Sequence, residues 1–150
     1  MSVTLREITA ATVGQVIRLA VAPEQQRFVA PNAYSLSEAL FTGEAWYRAA
    51  YDGDELAGFV MLYDETQRDA PPAAPKMVLW RLMVDQRFQG RGVGRAMMGH
   101  VMDHARGRGF RELYTSWVPA PGGPEPFYRA LGFVPNGEVD AGETVAAVRL

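Results

Sequence analysis

The chain has no cysteine in 150 residues, and that absence removes disulfides, thiolate metal ligands and a cysteine nucleophile together. It leaves the redox compartment open. Net charge is nearly missing too: 15 Lys and Arg against 17 Asp and Glu give a formal −2, so the molecule as a whole offers no basic field to nucleic acid or to an anionic membrane. An anion site on this protein has to be local. No apolar run approaches the about 20 residues needed to span a bilayer, and the opening MSVTLREITA has neither a basic n-region nor an apolar h-region. The expectation is a soluble, cytoplasmic protein with neither a membrane nor a nucleic acid as partner. Histidine is scarce as well: His100 and His104 are the only two. Val101 stands where a zincin motif needs glutamate, so the pair reads as helix-edge residues and no metal is expected.

What is present is globular material. A 48% hydrophobic share over 150 residues is enough for one core and too little for two, so residues 1–150 read as one domain. VTLREI alternates as a strand does, and TAATVGQVIRLAV, residues 9–21, has helical spacing with Thr9 or Thr12 as cap. SLSEALF, residues 35–41, predicts a second helix capped by Ser35 with Glu38 three residues on. AWYRAAYD and ELAGFVMLYDE flank Asp52, Gly53 and Asp54 as the arms of a hairpin. The proline-rich DAPPAAP is a surface loop, and the nearly continuous apolar run KMVLWRLMV predicts a central strand buried on both faces. An amphipathic helix from Gly92 to Gly107 follows, then a strand at ELYTSWV in β-α-β order, a short helix around EPFYRAL and two closing strands at FVPNGEV and TVAAVRL. The class is α/β (α+β), a mixed central sheet flanked by helices. Trp46, Tyr47, Tyr51, Phe59, Tyr63 and Trp80 read as core, with alternate ones as candidates for walling a cleft.

The stretch VDQRFQGRGVGRAMM concentrates glycine and arginine where the central strand turns into the long helix. Gly90, Gly92 and Gly94 free backbone amides at the positive end of a helix dipole, and Arg87, Arg91 and Arg95 add charge for a phosphate. A P-loop needs Lys then Ser or Thr after its last glycine, whereas Arg95 and Ala96 stand there. A dinucleotide fold needs its glycines after the first strand and an acid ending the next, which ELYTSWV does not supply.

QGRGVG, residues 89–94, matches the Q/R-x-x-G-x-G/A signature of the GNAT acetyltransferase superfamily, and FYRALGF, residues 127–133, resembles its second signature, a Tyr before Leu-Gly-Phe. The order of elements resembles that family over most of the chain. The resemblance implies a GNAT acyl-CoA N-acyltransferase fold and acetyl-CoA as cosubstrate. It also implies a pyrophosphate held by the amides of Gln89, Gly90, Arg91, Gly92, Val93, Gly94 and Arg95, with a pantetheine arm paired to Leu82, Met83 and Val84. Tyr128 corresponds to the family's acid, which protonates the departing thiolate; a phenol of ordinary pKa near 10 is protonated at neutral pH.

Direct transfer to an amine needs no covalent enzyme intermediate, and there is no G-x-S-x-G elbow to suggest one. Many members carry a glutamate on the central strand, whereas LWRLMV has none. A base acting through water from Glu24, Asp85 or Glu143, or an amine that arrives neutral, are the open alternatives. The family's common Asn before the Tyr is replaced in VPAPGGPEPFY by proline and glycine, so that coenzyme contact is expected to be absent or taken over by backbone. VAPEQQRFVAPNAYSLSEA resembles the bacterial polyamine or diamine branch, which implies a small primary amine as acceptor, with Glu24, Glu38 and Glu44 as candidate contacts for a polycation. Another acceptor (antibiotic, amino acid or protein amine) and a non-catalytic acetyl-CoA-binding protein are the alternatives. A homodimer is left open by the resemblance.

Overall fold

A computed structural model describes residues 2–150. Strands β1 (Val3–Arg6), β2 (Ala45–Asp52), β3 (Glu55–Asp64), β4 (Met77–Val84), β5 (Glu112–Trp117), β6 (Val134–Asp140) and β7 (Glu143–Arg149) form one sheet in the order β1-β2-β3-β4-β5-β7-β6. All neighbours are antiparallel except β4 and β5, the two joined by the long helix α3 (Val93–Gly107). The β-α-β order required that crossover. The hairpin forms as its turn predicts, with Asp52 opposite Glu55 and Gly53 at φ 63°.

Two apolar clusters cover the two faces. On one, Val93, Met97, Met98, Val101 and Ala105 of α3 pack with Leu62, Met77, Leu79, Leu113 and Trp117. On the other, Val16 and Leu19 pack with Phe59, Met61 and Met83 beneath α1 (Val13–Arg18) and α2 (Asn32–Ala39).

The opening between β4 and β5 creates the site. These strands share a single bridge, Val78 with Tyr114, where β2 and β3 share a ladder along their whole length. A bulge adds to the divergence: β3 residues Met61 and Leu62 face Arg81 and Leu79, so Trp80 is the extra residue. Beyond Val78 one edge of β4 therefore has no strand to pair with. β4 is covered on both faces as expected, Met77 and Leu79 packing into one cluster and Met83 into the other, while Val78, Trp80, Arg81, Leu82 and Val84 are only half-buried.

Two helices also differ from expectation. The first is confined to Val13–Arg18: Thr9 to Thr12 form a hydrogen-bonded turn, and Asp85 Oδ2 captures the Ala20 amide at 3.0 Å, ending the helix. The second begins at Asn32, so Ser35 is not its cap. Ser35 lies inside, fully buried, its amide donating to Pro31 O and its hydroxyl without a partner. Glu38 turns to Arg81 instead of the helix start. A 3-10 segment at Pro23–Phe28 occupies ground between the helices that carried no predicted element. Among the described residues no helix is long and apolar enough to cross a membrane.

Candidate active site

A cleft of about 1320 Å³ runs along the gap between β4 and β5. Leu82, Met83 and Val84 line it. They are bonded to β3 on one edge, and their other edge faces the gap. Below them the glycine turn completes the wall with Gln89, Gly90, Gly92, Val93, Gly94 and Arg95.

The glycines serve different ends. Gly90 and Gly92 hold φ of 75° and 82°, the left-handed region that a Cβ disfavours, and Gly92 is the N-cap of α3. Gly94 packs closely, since a Cβ there would lie 3.3 Å from the Phe127 ring and the ring would have to shift slightly. The Ala96 amide is the first along α3 to find a backbone acceptor, Gly92 O at 3.0 Å. The amides of Val93, Gly94 and Arg95 are thus left at the positive end of a 15-residue helix. That cradle suits the oxygens of a pyrophosphate, because no side chain fills the space beside Gly90.

The arginines divide similarly. Arg95 lines the cleft, whereas Arg87 is held by Asp85 at 2.8 Å and Arg91 lies over the Phe88 ring at 5.2 Å. Of the three arginines expected to serve the anion, Arg95 lines the cleft and Arg87 and Arg91 do not. Asp85 is buried and accepts from the Ala20 and Arg87 amides and from Arg87 Nε. Burial works to raise its pKa, but these hydrogen bonds outweigh it and hold the carboxyl below its ordinary value. It is a brace between β4 and the end of α1, and it does not line the cleft.

Tyr128 stands on the other bank, on the short helix α4 (Glu125–Ala130). Its ring stacks on Trp117 at 5.8 Å between centroids and meets Phe133 edge-on at 5.5 Å. Burial pushes the phenol well above its ordinary pKa, with the neighbouring Thr115 hydroxyl pulling the other way. Tyr128 lines the cleft and is protonated at neutral pH.

Of the acids considered for the acceptor, Glu24 is exposed on the 3-10 segment, Glu38 pairs with Arg81 at 2.9 Å, and Glu44 precedes β2; none lines the cleft. Glu65, Asp140 and Glu143 do. The aromatics separate too: Tyr63 and Trp80 line the cleft, while Phe59 is fully buried. The histidines hold α3 to the sheet, His100 Nε2 lying 2.7 Å from Val3 O and His104 stacking on Trp46 at 4.1 Å.

Sequence reasoning missed the strap across the cleft. Gln25 and Gln89 exchange amide hydrogen bonds of 2.9 and 3.1 Å, Gln89 also donates to Val84 O, and Arg27 donates to Pro121 O on the far bank at 2.9 Å. The 3-10 segment therefore joins both sides of the gap. The QQRF stretch held no signal for this, because its partners lie 64 and 94 residues away. Thr115, Ser116 and Trp117 also line the cleft, a consequence of the splay that no periodicity announces.

Similarity to known proteins agrees with this architecture. Over 93% of each chain, the sequence is 27% identical to a spermine/spermidine N(1)-acetyltransferase of Bacillus subtilis. The fold superposes on the PaiA N-acetyltransferase of Thermoplasma acidophilum, solved in complex with coenzyme A, with a TM-score of 0.71 at 14% identity and full coverage of both chains. A GNAT family acetyltransferase of Elizabethkingia anophelis, solved with acetyl-CoA bound, gives 0.67 at 16% identity over 99% of this chain and 98% of the other. The Acetyltransferase (GNAT) family model matches residues 29–133, from the segment before α2 through the glycine turn to Phe133. The chain belongs to the GNAT acetyltransferase family.

Proposed function

We propose that this protein transfers the acetyl group of acetyl-CoA to the primary amine of a small molecule, by direct attack and with Tyr128 as general acid. The observation that carries the reading is the cleft itself: an unpaired β4 edge, a left-handed glycine N-cap and a buried tyrosine share one wall system. Val93, Gly94, Arg95 and the Arg95 guanidinium hold the pyrophosphate, and the free edge at Leu82, Met83 and Val84 pairs with the pantetheine amides. Coenzyme-bound relatives of the same fold support that assignment. Tyr128 gives its proton to sulfur as the carbon–sulfur bond breaks; its apolar surroundings keep it protonated until a thiolate appears beside it.

A polyamine or diamine is the acceptor class we favour, on the likeness to the Bacillus subtilis protein and on the carboxylates Glu65, Asp140 and Glu143 in the cleft wall. Thiol release from acetyl-CoA, screened with spermidine, putrescine, lysine and an aminoglycoside, tests both levels. Turnover is expected with the first two. Turnover confined to lysine or the aminoglycoside would reject the polyamine class, and silence with every amine while coenzyme still binds would reject the enzyme.

A further inference from the structure

Transfer to an amine that is protonated in solution requires a base, and β4 has no carboxylate to supply one. Three carboxylates line the cleft. Glu65 is occupied, its Oε1 accepting the Lys76 amide at 2.7 Å and its Oε2 paired with Arg68 at 3.2 Å. Asp140 is exposed at the turn out of β6. Glu143, at the start of β7, is different. Its Oε1 accepts the Ser116 hydroxyl at 3.0 Å, and among the described residues it joins no ion pair. One oxygen is thus fixed by a neutral donor, and nothing cationic neutralises the group.

Its placement is as telling as its freedom. On β5, Leu113 and Trp117 pack into the α3 face of the sheet, so Ser116, one residue out of phase, belongs to the opposite face. Tyr128 stacks on Trp117 and so lies on the α3 side. The two groups thus stand on either side of the sheet where β4 and β5 part, and both line the cleft. An acid and a base in contact exchange their proton with each other, whereas here the strand separates them. Asp140 stands opposite Glu143 across the β6–β7 turn, and the other charged residues of the cleft wall are Glu65, Arg27, Arg68, Arg81 and Arg95, of which Arg81 and Arg68 pair with Glu38 and Glu65.

Resting on the acetyltransferase reading above, we propose that Glu143, oriented by Ser116, is the general base that takes a proton from the acceptor's ammonium. The N–H bond breaks to Glu143, and the freed lone pair forms the C–N bond to the acetyl carbon. The C–S electron pair leaves on sulfur, which takes the Tyr128 proton. The nitrogen loses two protons in all, both by way of Glu143 to solvent, and Tyr128 regains one from solvent, so that one proton is released per turnover.

The test compares wild type, Glu143→Gln and Ser116→Ala in kcat/KM against pH, using the amine that the screen finds active and a weakly basic analogue that is neutral at the assay pH. With the protonated amine, Glu143→Gln is expected to lower kcat/KM about 10²- to 10³-fold and to remove the acid limb of the profile. With the neutral analogue the loss should be under about tenfold, and coenzyme affinity should be unchanged. Ser116→Ala, which removes only a hydroxyl, should show a smaller loss with the same dependence on the amine. Equal losses with both amines, an unaltered profile, or a raised amine KM at constant kcat would each overturn the base. Those results come from an active wild type, and are therefore distinct from failure of the acetyltransferase reading, which is silence of the wild type itself and removes both.

Discussion

Tyr128 is enclosed by Trp117, Phe127 and Phe133, and its proton is held more tightly than an ordinary phenol's. A raised pKa makes the phenol a weaker acid, so the proposed transfer to sulfur depends on the departing thiolate being desolvated beside it. Tyr128→Phe keeps the ring and the stacking, so kcat is expected to fall by about 10² or more while coenzyme affinity stays within about twofold. Stopped-flow thiol release alongside a coenzyme titration checks this, and unchanged turnover would place the acid elsewhere. At this scale the sequence was readable where a residue type answers a local demand. Gly92 at φ 82°, a position that glycine fills without strain, is of that kind. Glu24, Glu38 and Glu44 were not, because a carboxylate's position in a chain carries no information on whether a cation such as Arg81 lies within reach.

The elements were legible in proportion to how much of their stability is local. The long helix α3 starts at its glycine cap and ends at Gly107, as its apolar stripe predicts. Helix α1 stops early because of Asp85, a residue 65 positions away from the amide it captures. That brace has a pH signature. The Asp85 carboxyl is held below its ordinary value of 3.8 in the folded state, so its stabilisation is fully present above that value and is lost as pH falls through the lower folded value. Asp85→Asn is expected to cost about 1–3 kcal/mol at neutral pH and to flatten the acid side of the stability curve. Urea unfolding between neutral and acid pH measures it, and an equal loss at every pH would refute the assignment.

At the scale of the whole molecule, function follows from one sheet that opens between two strands and one segment that ties the opening. Gln25 and Gln89 hold the strap to the glycine turn, and Arg27 holds it to the β5–α4 connection. The two sides of the cleft are therefore mechanically joined. Gln25→Ala and Gln89→Ala should each raise the amine KM, and the double variant should be no worse than the poorer single one, with a coupling of about 0.5–3 kcal/mol in a double-mutant cycle. Strict additivity in kcat/KM would show the pair to be incidental.

By itself the sequence determined the order of strands and helices, the hairpin, the parallel crossover through α3 and the glycine turn that opens α3. Each depends on residue types at short spacing: an apolar period, a turn dipeptide, a position that tolerates positive φ. Only the tertiary structure decided that β7 inserts between β5 and β6, that β4 and β5 part after Val78, that the QQRF stretch straps the gap, and that Glu143 meets Ser116 facing the cleft. Those outcomes depend on which distant groups come within hydrogen-bond reach once the two apolar clusters close, and no local pattern encodes a distance between residues far apart in the chain.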